Sequence, residues 1–474
     1  MNNEEKRSIE RKLKCSRFVK ILKREYNGEL AVALYHNAFI KRCYGNEKLL
    51  HLFESFQNGA ILKDVLNNYS GSEKIETEKL IWNLYDDRIL VDFESDESWV
   101  IDKIRNQMYD RLQLGVSYII ITTACNFRCK YCFEEGTLYT PITMTKEIAE
   151  KTINYLFKHI SESNRKEQKI VIYGGEPLLA LDIVEFVSQK IRSKTIELDR
   201  KDVEIKTIII TNGSLISKEF ARIAKEYNLY VSISLDGPKN VNDENRIYQN
   251  GNGTFDDIIK GFNILKENKV SASVSCTVTN DNVNDIDKLV TTFKDMGFSG
   301  IGFNILIGKP FSSSDIQQLS MDTGKKLVDV FNVARKINIY EDTTMRQVLS
   351  FIEGSFYEHN CAACGGQMTI DPHGMIGICH AFLGKKDHFI FNVMENPDIT
   401  NSPIFKEWTR RSPINMPECH TCIAFATCGG GCPYNASVEH GTIWAIDEMY
   451  CNYAKPITEW LIWDLYEKII SDKT

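Results

Sequence analysis

Eleven of the 14 cysteines in this 474-residue chain fall into two clusters whose spacing indicates metal binding. The first cluster reads Cys125-x3-Cys129-x2-Cys132. Three thiolates can hold a [4Fe–4S] cluster while leaving one of its four irons open to a small molecule, as a catalytic zinc site keeps an open position. The alternative is a zinc site completed by a remote histidine.

The second cluster is an array of eight cysteines near the C-terminus, enough for two four-thiolate sites. Its members are Cys361, Cys364, Cys379, Cys419, Cys422, Cys428, Cys432 and Cys451. Spacing alone does not separate iron–sulfur sites from a pair of structural zinc sites. Cys15, Cys43 and Cys276 lie elsewhere, and we expect them to pack as small apolar residues.

The region from about 106 to 310 alternates short apolar runs with stretches of helical periodicity. The predicted strands are Val116–Thr122, Lys169–Tyr173, Ile205–Thr211, Leu229–Leu235, Val270–Val278 and Gly300–Leu306. Such alternation predicts an α/β fold with a parallel sheet of right-handed βαβ units. Six units favour an open, partial (β/α)6 barrel, with function at the carboxyl ends of the strands.

Polar and glycine-rich motifs follow the first four predicted strands. The first is the Cys125–Cys132 loop, and the second is Tyr173-Gly174-Gly175-Glu176-Pro177. The others are Thr211-Asn212-Gly213, Ser232-Ile233-Ser234-Leu235-Asp236-Gly237 and Arg246. Glycines allow a ligand to approach the backbone, a glutamate accepts hydrogen bonds from an ammonium group, and an arginine can pair with a carboxylate.

This ordered set of motifs resembles the radical S-adenosylmethionine (SAM) superfamily over residues 116–310. The resemblance implies that Cys125, Cys129 and Cys132 hold a [4Fe–4S] cluster whose open iron binds SAM. It also implies a set of SAM contacts, namely Gly174, Gly175, Glu176, Asn212, Ser234 and Arg246. No motif singles out a general base or any further catalytic residue.

The C-terminal array resembles the SPASM extension found on radical SAM enzymes that modify peptides. The resemblance implies interleaved ligands for two auxiliary [4Fe–4S] clusters: Cys361, Cys364, Cys379 and Cys432 for the first, and Cys419, Cys422, Cys428 and Cys451 for the second. The chain would then carry three clusters and SAM. If one member of the close Cys361–Cys364 pair is a spare thiol, the first auxiliary cluster has an open iron.

The first hundred residues predict a winged-helix-like module. The expected strands are Arg17–Leu22, Glu29–Asn37, Phe39–Tyr44 and Ile89–Phe93. Three helices are expected: one that begins after Asn46 as its N-cap, a second around Ile61–Tyr69 and a third around Glu73–Tyr85. The third helix and the residues directly after it carry five acidic residues against three basic ones, which would repel phosphates and argue against DNA binding. They are Glu73, Glu76, Glu78, Asp86 and Asp87 against Lys74, Lys79 and Arg88. The pattern resembles a PqqD-like recognition element, which grips the leader of a ribosomal precursor peptide by β-augmentation. A structural cap on the barrel is the alternative.

These features predict four segments: residues 1–105 for leader recognition, 106–310 for the barrel, 311–360 as a helical bridge and 361–474 for the auxiliary clusters. The expected function is cross-linking of a precursor peptide, as Cys thioether bonds, through a 5′-deoxyadenosyl radical. The resemblance also implies an electron donor such as flavodoxin or ferredoxin. The alternatives are an anaerobic sulfatase-maturating enzyme, which forms formylglycine, and a zinc-containing DNA-binding regulator.

Composition restricts the location and the partners. The formal net charge of -7 argues against a general nucleic-acid coat protein. No apolar run approaches the roughly 20 residues that span a bilayer, and the N-terminus lacks the apolar segment of a secretory signal. We therefore expect a cytoplasmic protein with no membrane partner and reduced cysteines.

Overall fold

The structure is a computed structural model that describes residues 7–108, 112–132, 141–306, 313–383, 385 and 387–472. No helix in these ranges combines the length and apolar character needed to cross a bilayer.

The N-terminal segment forms two small antiparallel sheets and four helices. In chain order its elements are β1 (Lys12–Cys15), β2 (Val19–Tyr26), β3 (Glu29–His36), β4 (Lys41–Gly45), α1 (Glu47–Glu54), β5 (Ala60–Ile61), α2 (Leu62–Leu66), α3 (Gly71–Asp86), β6 (Leu90–Asp92) and α4 (Ser98–Arg105). The sheet orders are β5-β1-β6 and β2-β3-β4. Asn46 caps α1 as predicted, because its side chain accepts a hydrogen bond from the backbone N–H of Lys48. β1 and α4 were not predicted.

Six parallel strands in sequential order form the centre of the main sheet, and each overlaps a predicted strand. They are β7 (Val116–Thr122), β8 (Glu167–Gly174), β9 (Glu204–Thr211), β10 (Tyr230–Ser234), β11 (Ala272–Val278) and β12 (Gly300–Ile305). The helices of this region are α5 (Lys146–Glu162), α6 (Leu181–Glu197), α7 (Lys218–Glu226), α8 (Lys239–Asn245), α9 (Phe255–Glu267) and α10 (Ile286–Met296). The α/β class and the parallel order of the six strands are therefore as expected.

The sheet continues beyond these six strands at both ends. β13 (Tyr340–Glu341) pairs in parallel with β12, and β14 (Gln367–Ile370) pairs in parallel with β7. β15 (Met375–Gly377) and β16 (Phe389–Asn392) follow antiparallel, completing ten strands. No strand was predicted after residue 361. All four β14 residues are buried, including the polar Gln367 and Thr369.

Long helices connect the sheet to the C-terminus. α11 (Ser313–Ile337) and α12 (Asp342–Glu353) lie where connecting helices were expected. They are followed by α13 (Pro403–Arg410), α14 (Pro433–His440) and α15 (Glu448–Ser471). α11 packs along α15. The segment after 361 also supplies buried side chains such as Met368, Trp408 and Ile457 to the main core, so it helps to build that core.

Strand β3 joins the N-terminal segment to the rest of the chain because it is buried on both faces. Ala33 and Tyr35 belong to the main core, whereas Val32 and Leu34 face the core beneath the N-terminal helices. Contacts with the last helix reinforce this junction: Arg24 pairs with Glu467 at 2.9 Å, and the Tyr44 hydroxyl donates to the carbonyl of Ile462 at 2.7 Å.

Candidate functional site

A cavity of about 1410 Å³ lies within the barrel and is shared by both cysteine clusters. All three cysteines of the first motif line it, as do three of the C-terminal array, namely Cys361, Cys364 and Cys432. Pockets for small ligands are usually about 300–1,000 Å³. This cavity therefore has room for more than one small cofactor.

The loop of the first motif follows β7 and is fixed by the segment after α8. The backbone N–H of Arg128 donates to the carbonyl of Ile247 at 2.7 Å, and that of Lys130 donates to Asn245 at 3.0 Å. The buried ring of Phe127 packs edge-on against Tyr248, with centroids 5.0 Å apart. These contacts hold the three thiols at the carboxyl end of the sheet.

Gly174 and Gly175 bring the second strand end against this loop more closely than any side chain would allow. A Cβ at Gly174 would lie 2.2 Å from the Thr122 carbonyl oxygen, and one at Gly175 would lie 2.3 Å from that of Ala124. Gly174 also has φ +145°. Both glycines line the cavity, and the absence of side chains explains the close approach of the two loops.

Glu176 joins the ends of β8 and β9. Its carboxylate accepts hydrogen bonds from the backbone N–H of Leu178 at 2.9 Å, the hydroxyl of Thr211 at 2.7 Å and the backbone N–H of Asn212 at 2.7 Å. The side chain is completely buried, and this burial raises the pKa of Glu176 to about 7 against those three bonds. In the structure its three hydrogen bonds go to protein donors, so a SAM contact at Glu176 stays a prediction.

Asn212 and Ser234, the predicted contacts on the third and fourth strand ends, both line the cavity. The Asn212 amide donates to the side-chain oxygen of Asn126 at 2.8 Å, and the Asn126 amide donates to the Ser214 hydroxyl at 3.0 Å. Ser214 closes the ring by donating to the Asn212 side-chain oxygen at 2.8 Å. This network locks the third strand end to the cysteine loop.

Arg246 lies in the cavity wall and forms a buried ion pair that the sequence did not reveal. Its Nε donates to the Asp236 carboxylate at 3.0 Å, and the Tyr131 hydroxyl donates to the same carboxylate. The guanidinium also lies 3.9 Å from the Cys129 sulfur. Asp236 and Tyr131 both stand inside quoted motifs, but only spatial proximity identifies them as partners of Arg246.

The C-terminal thiols divide into two groups that influence one another electrostatically. Burial raises the pKa of Cys364 and Cys379, and in each case the Cys361 thiolate raises it further; Cys432 acts on Cys364. In the other group, burial raises the pKa of Cys428, with contributions from Cys451, Cys422 and Cys419. Cys364 thus lies near Cys361, Cys379 and Cys432, and the assignment of the two groups as ligand sets stays a prediction.

The donor chemistry of these groups fits iron–sulfur clusters. All 14 cysteines are free thiols rather than disulfides. Within the described ranges, no three His, Cys, Asp or Glu side chains are arranged to bind a single metal ion. Cysteine thiolates are the usual ligands of [4Fe–4S] clusters, in which each thiolate binds a different iron. Deprotonation of such buried thiols accompanies metal binding.

Residues 119–293, which carry the first motif and the four strand ends, match the Radical SAM superfamily. The chain is an enzyme that carries a radical SAM domain. This family implies a [4Fe–4S] cluster and SAM as cofactors, and it leaves no role for a zinc-containing DNA-binding regulator.

Curated relatives of the chain include a cyclopropyl synthase and sulfatase-maturating enzymes. The radical SAM cyclopropyl synthase TigE of Paramaledivibacter caminithermalis is 23% identical, covering 95% of this chain and 96% of TigE. A cysteine-type anaerobic sulfatase-maturating enzyme of Clostridium perfringens is 24% identical, covering 66% of this chain and 86% of that enzyme.

Solved structures show the same fold. SuiB of Streptococcus suis, bound to its precursor peptide SuiA, superposes with a TM-score of 0.52 at 18% identity, covering 93% of this chain and 99% of SuiB. Native anSMEcpe with bound AdoMet and the Cp18Cys peptide gives a TM-score of 0.62 at 20% identity, covering 76% of this chain and 100% of anSMEcpe.

Proposed function

We propose that this enzyme is a maturase that installs covalent cross-links, such as Cys thioethers, in a ribosomally made precursor peptide. The observation that carries the proposal is the extent of the similarity. TigE and SuiB correspond to nearly the whole chain, including its N-terminal segment, whereas the sulfatase-maturating enzymes cover about two thirds to three quarters of it. SuiB is described with a precursor peptide and anSMEcpe with a peptide substrate.

The first cluster would be held by Cys125, Cys129 and Cys132, and SAM would lie among Gly174, Gly175, Asn212, Ser234 and Arg246. When bound, the cluster and SAM supply a 5′-deoxyadenosyl radical that removes a hydrogen atom from the substrate. The protein's own residues would orient and enclose the bound groups. The amide network of Asn212 and the buried Arg246–Asp236 pair fix the strand ends around the cavity.

The peptide must pass electrons to an acceptor. Forming a thioether breaks one C–H and one S–H bond and makes one C–S bond. The peptide therefore loses one hydrogen atom, one proton and one electron for each bond. We propose that auxiliary [4Fe–4S] clusters on the eight C-terminal thiols accept that electron, and that a flavodoxin or ferredoxin reduces the first cluster. Cys361, Cys364 and Cys432 line the same cavity as the first motif, which supports this assignment.

We assign leader recognition to the N-terminal segment and the core peptide to the barrel cavity. The β2-β3-β4 sheet supports the first assignment, because an antiparallel sheet with free edges can accept an added strand. In chain order, the four segments would then bind the leader, carry out the radical chemistry, connect the barrel to the C-terminal segment, and transfer electrons through the auxiliary clusters.

The test is anaerobic reaction of the purified enzyme with SAM, a reductant and the peptide encoded by the short reading frame beside its gene. We expect a loss of about two mass units for each bond formed. Labelling with iodoacetamide then distinguishes two kinds of product. A cysteine in a thioether no longer reacts, whereas a carbon–carbon ring, the kind of product that the name of TigE indicates, leaves the cysteines free to react. A Cys125→Ala variant should be inactive, and Cys276→Ala is the matched cysteine control. An unchanged peptide mass would contradict the proposal.

Formylglycine formation is the second candidate, supported by the similarity to the sulfatase-maturating enzymes. A short sulfatase-motif peptide without a leader distinguishes the two. Conversion of its cysteine to an aldehyde would favour this candidate, whereas reaction only with a leader-bearing peptide would favour cross-linking.

A further inference from the structure

The turn between β3 and β4 contacts the loop that carries the first two thiols of the second C-terminal group. The Asn37 amide nitrogen donates to the backbone carbonyl of Cys422 at 2.6 Å and to that of His420 at 3.0 Å. The Asn37 carbonyl in turn accepts from the backbone N–H of Ala426 at 3.1 Å. Asn37 is completely buried, so water does not replace these bonds.

Asn37 is itself held rigidly from the N-terminal side. Its backbone N–H donates to the carbonyl of Phe18 at 2.9 Å. The Phe18 ring stacks on His36 and on Phe425, with centroids 5.6 and 6.4 Å away. The loop therefore rests against a fixed surface of the N-terminal segment, not against a mobile side chain.

Apolar packing surrounds the same loop. Phe18, Ala38, Ile101 and Ile104 from the N-terminal segment form one buried cluster with Ile414 and Phe425, and the half-buried Cys419 packs against it. Lys20 of β2 lies close enough to Cys422 for the thiolate to act on its ammonium group. The N-terminal sheet thus supplies hydrogen bonds, apolar contacts and a positive charge to one side of the second thiol group.

We propose that Asn37 is a positioning residue for the second auxiliary site, and that the N-terminal sheet forms one wall of that site. The two carbonyls that Asn37 binds belong to the loop between Cys419 and Cys422, so their orientation sets the direction of both thiols. The inference rests on the proposed iron–sulfur role of this group. In that case the N-terminal segment, which we propose binds the leader, forms one rigid unit with the loop of the second thiol group.

The experiment compares full-length variants after anaerobic purification and cluster reconstitution. Asn37→Leu keeps the branched side-chain shape but removes the donor, and Asn37→Ser keeps one donor in a smaller side chain. Leu34→Ala is the matched control, because Leu34 is equally buried in the same sheet but faces the N-terminal helices. Cys422→Ala is the reference for loss of the second site. Iron content, electron paramagnetic resonance of the reduced protein and alkylation of Cys419 and Cys422 are the readouts.

We expect the wild type and Leu34→Ala to hold about 12 irons and Asn37→Leu about 8, with the spectrum of Cys422→Ala. Alkylation of Cys419 and Cys422 in Asn37→Leu should rise several-fold, and Asn37→Ser should fall between. Full iron and an unchanged spectrum in a folded Asn37→Leu or Asn37→Ser protein would overturn the inference and leave the proposed function standing. A wild type with no iron beyond the first motif would overturn both.

Discussion

Replacement of Gly175 by alanine should disrupt the first cluster without touching a thiol. The new Cβ would lie 2.3 Å from the Ala124 carbonyl oxygen and 2.8 Å from that of Thr123. Real Cβ contacts essentially never fall below 3.0 Å, so the Ala124 backbone would have to retreat by at least 0.7 Å, the difference between 3.0 and 2.3 Å. Ala124 directly precedes Cys125, so the thiol would move with it.

Steric strain and a weakened hydrogen bond together set the size of the effect. Overpacking of this kind lowers the free energy of unfolding by about 1–3 kcal/mol. The retreat also strains the hydrogen bond from the Glu176 N–H to the Ala124 carbonyl, 2.8 Å long, which is worth about 1 kcal/mol. We therefore expect the free energy of unfolding to fall by about 2–4 kcal/mol in total, with the strain concentrated at the loop that must hold the cluster.

The assay measures iron per chain and 5′-deoxyadenosine released from SAM after anaerobic reconstitution. Gly175→Ala should lose about a third of the iron, one cluster of three, together with SAM cleavage. Gly302→Ala is the matched control, because Gly302 lines the same cavity and a Cβ there meets nothing within 4 Å. Equal iron and equal SAM cleavage in the two variants would refute the steric reasoning.

Three further substitutions test the site. Asp236→Asn should lower the free energy of unfolding by about 3–5 kcal/mol in urea titrations, because it leaves Arg246 buried without its partner. The control is the exposed Asp256→Asn, which should change the free energy of unfolding by less than about 0.5 kcal/mol. Equal effects of the two substitutions would contradict this argument. Burial raises the pKa of Glu176 from 4.5 to about 7, so its contribution to stability is complete below pH 4.5 and is lost as the pH rises through 7, about 3 kcal/mol in all. Glu176→Gln should therefore show a flatter dependence of unfolding free energy on pH across that window, and parallel curves would count against a raised pKa. Cys364→Ala should lose about a third of the iron if Cys364 is a ligand, whereas retention of all the iron, as in Cys276→Ala, would identify it as a spare thiol.

The six central strands could be predicted because they are short runs rich in Val, Ile and Thr that alternate with stretches of helical periodicity. One face of these strands is buried, and residues of the other face line the cavity. The sequence also indicated where those strands end, and the motifs at the ends line one cavity. Partners within the site could not be predicted in this way. The Asn37 contacts join residues 383 and 385 positions apart, and a single chain gives no signal for such pairs. Arg246 and Asp236 are only 10 positions apart, but no motif marks them as an ion pair.

The C-terminal elements escaped prediction for a different reason. β14 is only four residues long, which is too short for its pattern to mark a strand. α15 is buried along much of its length and packs against α11 and α12, and it contains Pro456 within its 24 residues. A helix that is apolar on several sides lacks the single stripe that marks an amphipathic helix. The cysteine spacing of this segment indicates possible ligand sets but carries no information about the apolar core that the segment helps to build.

A buried arginine between the two C-terminal thiol groups gives independent support to their role as thiolates. Arg411 is completely buried, and its guanidinium donates to the backbone carbonyls of Ile443, Gly430 and Ala445, none of which carries a net charge. Burying a cation without compensating negative charge is costly. The positive charge of Arg411 acts on Cys361 and Cys364 of one group and on Cys419 of the other.

Neutral thiols would not compensate that charge, and burial favours the neutral form by raising the pKa of each of these cysteines. The nearby carboxyl of Asp447 is affected in the same direction, because burial raises its pKa as well. Metal binding reverses the balance, since it requires deprotonated sulfur and brings negative charge to both sides of Arg411. The position of Arg411 therefore fits the proposed iron–sulfur role of both groups, because metal-bound thiolates on either side would offset its charge.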